Sequence, residues 1–423
     1  MAGPAVAARV KQLGRAAGFD LCRITSASPL HEERARYLAW VADRRHGSMS
    51  WITPERAHRS AEPSAALCGA SSVICVGMAY WAGHRNPQQA MTGQVARYAW
   101  GDDYHTAIGE RLERFATSLR AEFGAEYRWY VDTGPMMDKA LAARSGLGWY
   151  GKNTNILTEE YGSFVLLGEI ITSLELPADE PLQRDCGSCR LCMVACPTGA
   201  LGPDYSIDAN RCISYLTIEH RASIPVELRS AIGSWVFGCD ICQDVCPPTM
   251  APYLKSSDER RAWTADVRQL VAHAPAANDV GEATMTSEIE ATTMSHPLFR
   301  RGVRQVLDLR RLLRLTHDEY LEAFRGTAVK RAKVWMLRRN AAVALGNVGD
   351  EACICDLAEA LCSDDHPIVR GHAAWAVGQI GLRTRAPSAK QALQSALAHE
   401  QEAEVIQEIL AAQGLLSPLP APM

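Results

Sequence analysis

Eight of the chain's fourteen cysteines fall within residues 186–246, and their spacing constrains the fold more than any other feature. Residues 186–197 read Cys-Gly-Ser-Cys-Arg-Leu-Cys-Met-Val-Ala-Cys-Pro, that is Cys-x2-Cys-x2-Cys-x3-Cys-Pro. In such a run three thiolates wrap one 4Fe-4S cube and the fourth ligates a second cluster. A second half, Cys239-Asp-Ile-Cys242-Gln-Asp-Val-Cys246-Pro247, lacks a cysteine three residues upstream, where Val236 stands. Cys212 is the available replacement. The crossing rule then gives Cys186, Cys189, Cys192 and Cys246 to one cluster, and Cys196, Cys212, Cys239 and Cys242 to the other. None of the eight is left over. Cys-x2-Cys pairs also bind zinc, but two Cys-Pro endings after x3 spacing favour clusters. Short loops between cysteines build little core, so the bound inorganic centres supply much of this segment's stability.

Fully cysteine-ligated clusters carry single electrons and do little other chemistry. A plain electron carrier is therefore one reading. A long α/β-like region precedes the clusters, and it favours a catalytic centre that receives the electrons. At about 150 residues per domain, 423 residues predict two to four domains. The other six cysteines, Cys22, Cys68, Cys75, Cys353, Cys355 and Cys362, read as small buried hydrophobes. No secretory or twin-arginine signal is legible at the N-terminus, and no run approaches the roughly 18 apolar residues that span a bilayer. These features predict a monomer in a reducing cytoplasm with no membrane partner.

Residues 1–178 alternate between helical and extended patterns. Helices are expected from Val6 to Ala17, His31 to Arg45, Tyr104 to Phe123 and Met137 to Ser145. Strands are expected at Leu21–Ile24, Ser71–Tyr80, Tyr127–Val131 and Ser163–Thr172. This predicts an α/β domain over 1–178. After a polar linker from Pro177 to Asp185, a ferredoxin-like two-cluster domain is expected over 179–255. A helical connecting region follows over 256–330, with a polar loop at 276–296. Further on, Asn340-Ala-Ala-Val-Ala-Leu-Gly-Asn-Val-Gly349 aligns with His372-Ala-Ala-Trp-Ala-Val-Gly-Gln-Ile-Gly381 at a period of 32. Small residues at that spacing let helices pack closely, which predicts HEAT-like repeats over 331–423. A plain helical bundle is the alternative.

Gly146-Leu-Gly148-Trp-Tyr-Gly151 matches Gly-x-Gly-x-x-Gly, but helix precedes it and extended chain follows. The dinucleotide fingerprint needs the reverse order. The glycines instead suit a tight turn or backbone lying close to a flat ligand.

Several motifs occur together in one order: Tyr130-Val-Asp132-Thr-Gly-Pro, Arg144-Ser-Gly-Leu-Gly-Trp-Tyr-Gly-Lys-Asn-Thr-Asn155, the cluster run, Cys212-Ile-Ser-Tyr-Leu-Thr-Ile-Glu219 and Cys239-Asp-Ile-Cys242. This succession resembles the epoxyqueuosine reductase family, over nearly the whole chain. The resemblance implies a cobalamin-dependent enzyme that reduces epoxyqueuosine at the wobble position of transfer RNA to queuosine. It implies cobalamin contacts at Arg56, Tyr98, Asp132, Gly148, Lys152, Asn153, Ser163, Ser214 and Asp240. It also implies that Asp132 is the proton donor, its pKa raised by burial against the corrin. Tyr98, Asp103, Tyr104 and His105 would line the same site. No Asp-x-His-x-x-Gly motif offers a lower histidine ligand to cobalt. The electron donor would be a low-potential protein of flavodoxin or ferredoxin type. The family's core is similar to that of reductive dehalogenases, so a dehalogenase-like reductase of small molecules is the rival reading.

Residues 300–340 hold twelve basic side chains against four acidic ones, an excess of eight in a chain whose total is −4. Such an excess suits a phosphate backbone. Arg310, Arg311, Arg314, Lys330, Arg331 and Lys333 are the expected RNA contacts. The competing reading is a solvated helix face.

Overall fold

The computed structural model describes residues 3–85, 89–272, 298 and 304–416. The expected loop at 276–296, and Arg300 and Arg301, lie outside the described residues.

The sequence Ser-Val-Ile-Cys-Val-Gly-Met-Ala forms the strand Ser72–Ala79, seven of whose eight residues are buried. It is apolar on both faces because both faces are covered. Ile74, Val76 and Met78 share a core with Val10, Ile108, Leu112 and Phe115 of the helices Pro4–Ala16 and Tyr104–Phe123. Val73 and Cys75 point the other way and pack with Leu141 and Ala142 of Asp138–Arg144. This alternation follows the period of two along a strand. The sheet runs in the order Leu21–Ser26, Ser72–Ala79, Val165–Thr172, Tyr127–Tyr130, and every pairing is antiparallel. The expected strands and helices of this region are all present.

A second sheet joins distant parts of the chain. Thr92–Val95 pairs in parallel with Trp235–Phe237 and antiparallel with Val306–Asp308. Its strands thus come from the α/β region, the cysteine segment and the connecting region. Gly93 sits where a Cβ would meet Val236 Cγ1 at 2.5 Å.

The C-terminal part is a stack of helices: Val334–Val348, Ile354–Ser363, Pro367–Thr384, Pro387–Leu397 and Ala403–Leu415. The repeated glycines lie at crossings. A Cβ on Gly378 would meet Ala412 Cβ at 2.8 Å, and one on Gly381 would meet Ala389 Cβ at 2.6 Å. Arg339 ties this stack to the cysteine segment. Its fully buried guanidinium donates to the carbonyls of Leu216 at 2.6 Å and of His220 and Ala222 at 2.7 Å.

Two expectations change. Cys22, Cys75 and Cys353 are buried, but Cys68, Cys355 and Cys362 are exposed. Part of the basic stretch is paired within the protein, Arg331 with Glu219 and Arg338 with Asp364 among them. Arg310 and Arg314 both pair with Asp356, which is fully buried on Ile354–Ser363, and Arg314 reaches Glu359 at 2.8 Å. An uncompensated buried carboxylate is costly, so these two arginines are held to the repeat stack. Among the described residues no helix is long and apolar enough to cross a membrane.

Candidate active site and cluster domain

The eight cysteines sort into two quartets. Burial pushes the Cys192 thiol up to about 12, and the next contributions come from Cys246, Cys186 and Cys189. Burial likewise raises Cys239, with Cys212 and Cys196 as its cysteine neighbours. Cys242 is raised by burial, then by Cys239, Cys212, Cys196 and Cys192. These neighbours are compatible with the crossing rule, and Cys242 also feels Cys192 of the other expected set.

Local structure aims backbone N–H groups at the sulfurs. Cys212 precedes the short helix Ile213–Ile218, and the N–H groups of Ser214 and Tyr215 bear on its sulfur. Ala200 N lies 3.3 Å from Cys196 Sγ, and Lys152 N lies 3.4 Å from Cys186 Sγ. Such donors favour the thiolate form that iron requires.

Asp132 lies beyond the end of Tyr127–Tyr130. Its φ is +58°, and Thr133 N donates to Val131 O at 2.5 Å across it, so the aspartate occupies the centre of a tight three-residue turn. Aspartate tolerates this region better than most residues, and such backbone clusters at functional sites. Tyr104 OH donates to Asp132 Oδ2 at 2.6 Å, and His105 Nε2 lies 3.5 Å from the same oxygen. His105 Nδ1 is 2.8 Å from Asp103 Oδ1, and the Tyr104 and His105 rings stack at 4.1 Å.

Burial was expected to raise the pKa of Asp132. That rise depends on a covering corrin face, and the chain's own residues act in the opposite direction. Its side chain is 62 % exposed. The hydrogen bond with His105 first, and that with Tyr104 after burial, hold the carboxyl below its ordinary range. The proton resides on His105, which Asp103 and then Asp132 push up to about 9. A raised histidine pKa contributes stability below about 6.5 that is lost as pH rises through about 9. The His105 ring proton followed by NMR is expected to titrate near 9, and Asp103→Asn to bring that midpoint down. A midpoint near 6.5 in the parent protein would refute the pairing.

Lys139 connects this group to the second quartet. It was missed in the sequence because an isolated lysine in a helix start gives no signal. Burial lowers its pKa, and Asp132, Cys242, Asp138 and Cys212 raise it, in that order. Its Nζ donates to Thr154 O at 2.8 Å. Behind it, Asp138 and the fully buried Glu169 face each other with burial raising both. The charges of Cys242, Cys212 and Asp132 thus all bear on Lys139, and Asp132 in turn meets Tyr104 and His105.

The expected cobalamin contacts divide. Arg56 Nη2 donates to Gly134 O at 2.8 Å, beside the Asp132 turn. The Tyr98 ring meets Tyr104 edge-on at 5.9 Å. Asn153 Nδ2 lies 3.3 Å from Cys242 O. Lys152, Ser163, Asp240 and Gly148 also have partners within the chain. Lys152 Nζ donates to Gly187 O at 2.6 Å and Cys189 O at 3.0 Å, on the loop of the first quartet. Ser163 is buried under Gln243 and Thr249, at 3.0 Å from each. Asp240 is buried between Arg85 and Arg97. Gly148 is a packing position, where a Cβ would meet Leu157 O at 2.5 Å across the hairpin of Trp149–Tyr150 and Ile156–Leu157. A cavity of about 190 Å³ is lined by Val95, Trp100, Leu307 and Phe324 and by none of these residues.

Two electron-carrying quartets leading to an open acid and a charged imidazole define an iron–sulfur oxidoreductase. Family models match a 4Fe-4S double cluster binding domain over residues 185–249, "Epoxyqueuosine reductase QueG, DUF1730" over 61–133 and HEAT repeats over 323–413. The chain is 35% identical over 384 residues to the epoxyqueuosine reductase of Xanthomonas campestris, covering 89% of this chain and 96% of that one. It is 33% identical over 382 residues to that of Escherichia coli, covering 88% and 89%. The chain belongs to the epoxyqueuosine reductase family. A solved epoxyqueuosine reductase with an epoxyqueuosine-modified tRNA-Tyr stem loop is similar at a TM-score of 0.78 and 28% identity, over 97% of this chain and 99% of that one. A Bacillus subtilis epoxyqueuosine reductase, solved with its catalytic aspartate loop swung out of the active site, is similar at a TM-score of 0.79 and 28% identity, over 98% and 99%.

Proposed function

We propose that this protein reduces epoxyqueuosine in transfer RNA to queuosine, using two 4Fe-4S clusters and a cobalamin bound between the second cluster and Asp132. One observation carries the reading: Lys139 lies under the influence of both Asp132 and the cysteines Cys242 and Cys212. The reaction takes two electrons and two protons; both carbon–oxygen bonds of the epoxide break, a carbon–carbon double bond forms and the oxygen leaves as water. A low-potential protein of flavodoxin or ferredoxin type supplies the electrons, which pass singly through the clusters.

The residues fit cobalamin. Asp132 and Lys139 are exposed although protein surrounds them, as on the wall of an open cleft. Arg56, Tyr98 and Lys139 are the residues on that wall that would hold it, with Asn153 buried behind them. Cobalamin, when bound, supplies a metal centre that links one-electron supply to two-electron reduction. Asp132 is the proton carrier to the leaving oxygen. His105, charged at neutral pH, returns a proton to it, and Tyr104 fixes its orientation. Covering the open carboxylate with cofactor and substrate raises its pKa by desolvation.

For the RNA, Lys330 and Lys333 are exposed beside Arg331. The Arg331 guanidinium is raised by Glu219 first, with smaller contributions from Asp132 and Tyr104. This part of the basic stretch therefore borders the site, while Arg310 and Arg314 belong to the repeat stack. Lys330→Ala with Lys333→Ala is expected to reduce the slope of log affinity against log salt by about 1.5. Arg310→Ala with Arg314→Ala should leave that slope intact and raise protease sensitivity of the repeats. The reverse result would return RNA binding to Arg310 and Arg314.

The function is tested by mass spectrometry of transfer RNA from a strain lacking this protein. Accumulated epoxyqueuosine supports the reading. Unchanged queuosine in a strain with no second such enzyme rejects it. Absorbance of purified protein mixed with cobalamin tests the cofactor separately.

A further inference from the structure

Trp51 is the one aromatic residue among the exposed large apolar side chains of the described residues, with 39% of it open to solvent. The loop that carries it is held rigidly. Ser48 N donates to Tyr215 OH at 2.7 Å, and Gly47, at φ +62°, leaves no space for a Cβ against the Tyr215 ring. Ala209 N donates to Arg45 O at 2.8 Å, Asn210 Nδ2 to Arg44 O at 3.0 Å, and Ile52 N closes a turn onto Met49 O at 3.0 Å. Tyr215 stands three residues after Cys212, so the loop is anchored to the second cluster's own helix.

The Arg331 guanidinium lies over the Trp51 ring, 4.9 Å from its centroid. Glu219 fixes that guanidinium with contacts of 2.6 Å and 3.1 Å. Exposed Lys330 and Lys333 flank it. A fixed aromatic ring, a fixed planar cation and two free-ended ammonium groups beside an active site are the parts that bind unpaired nucleotides. The ring stacks a base and the cations meet phosphates.

We infer that Trp51 and Arg331 form a stacking platform for an unpaired nucleotide adjacent to the modified one. The platform rests on the proposed RNA substrate. It holds the loop open while the modified base enters the site, so it acts on binding rather than on the reduction.

The test uses the full-length, cluster-loaded protein and an RNA stem loop, modified and unmodified, with 2-aminopurine placed in turn on either side of the modified position. Trp51→Ala is expected to raise the dissociation constant for either RNA roughly 5- to 150-fold, the effect of losing one base–aromatic stack. It should raise KM similarly and leave kcat within about twofold. Trp51→Phe should restore most of the affinity. One 2-aminopurine position should be quenched on binding to the parent protein and brighten with Trp51→Ala. An unchanged dissociation constant overturns the platform, as does a raised one with no change in emission at either position. Parent protein that binds and quenches the RNA but never reduces it would instead sink the functional reading and leave the platform standing.

Discussion

Asp132→Asn is expected to keep both clusters and RNA affinity while turnover falls by about 10²- to 10⁴-fold, the usual loss of a general acid. Asparagine tolerates the +58° φ of this turn, so the backbone should not rearrange. Its amide oxygen can still accept the Tyr104 hydroxyl now 2.6 Å away. It cannot take a proton from His105 and pass it on. The variant also carries a readout independent of turnover. Asp132 is one of the two carboxylates that raise His105 to about 9, so the imidazole midpoint should fall. Alanine is a poorer test, because water could enter and act as the acid. Turnover is measured with excess reductant, so that electron supply does not limit it. A near-parent rate would move the acid role to Tyr104 or Asp103.

Cys212→Ala is expected to abolish turnover by removing the second cluster while the first persists. Reconstituted iron should drop from about eight atoms to about four. The fold around the lost ligand should hold, because Arg339 clamps the Leu216 carbonyl of the same short helix from the other side. The first quartet draws on no residue of that helix. Unchanged iron content and spectra would remove Cys212 from the ligand set and break the crossing assignment.

The cluster domain was legible in the residues alone. Cys-x2-Cys-x2-Cys-x3-Cys-Pro is a local pattern, three thiolates for one cube and a fourth for its neighbour, so spacing alone carries it. The central strand Ser72–Ala79 was legible for a similar reason, since burial on two faces writes itself as an unbroken apolar run. The repeat register was legible because close helix crossings demand small residues at fixed intervals, as Gly378 and Gly381 do. Charge state was not legible. Asp132 could be read as an acid but not as an ionised one, because its partners His105 and Tyr104 come from another element. Arg310 and Arg314 read as RNA contacts, and their pairing with Asp356, more than forty residues away, was invisible to spacing. Lys139 and the Trp51 platform had no signal, since each matters only for what it stands beside. Spacing along the chain fixes a ligand set or a buried face, while an electrostatic field depends on distances through space, and those only the tertiary fold decides.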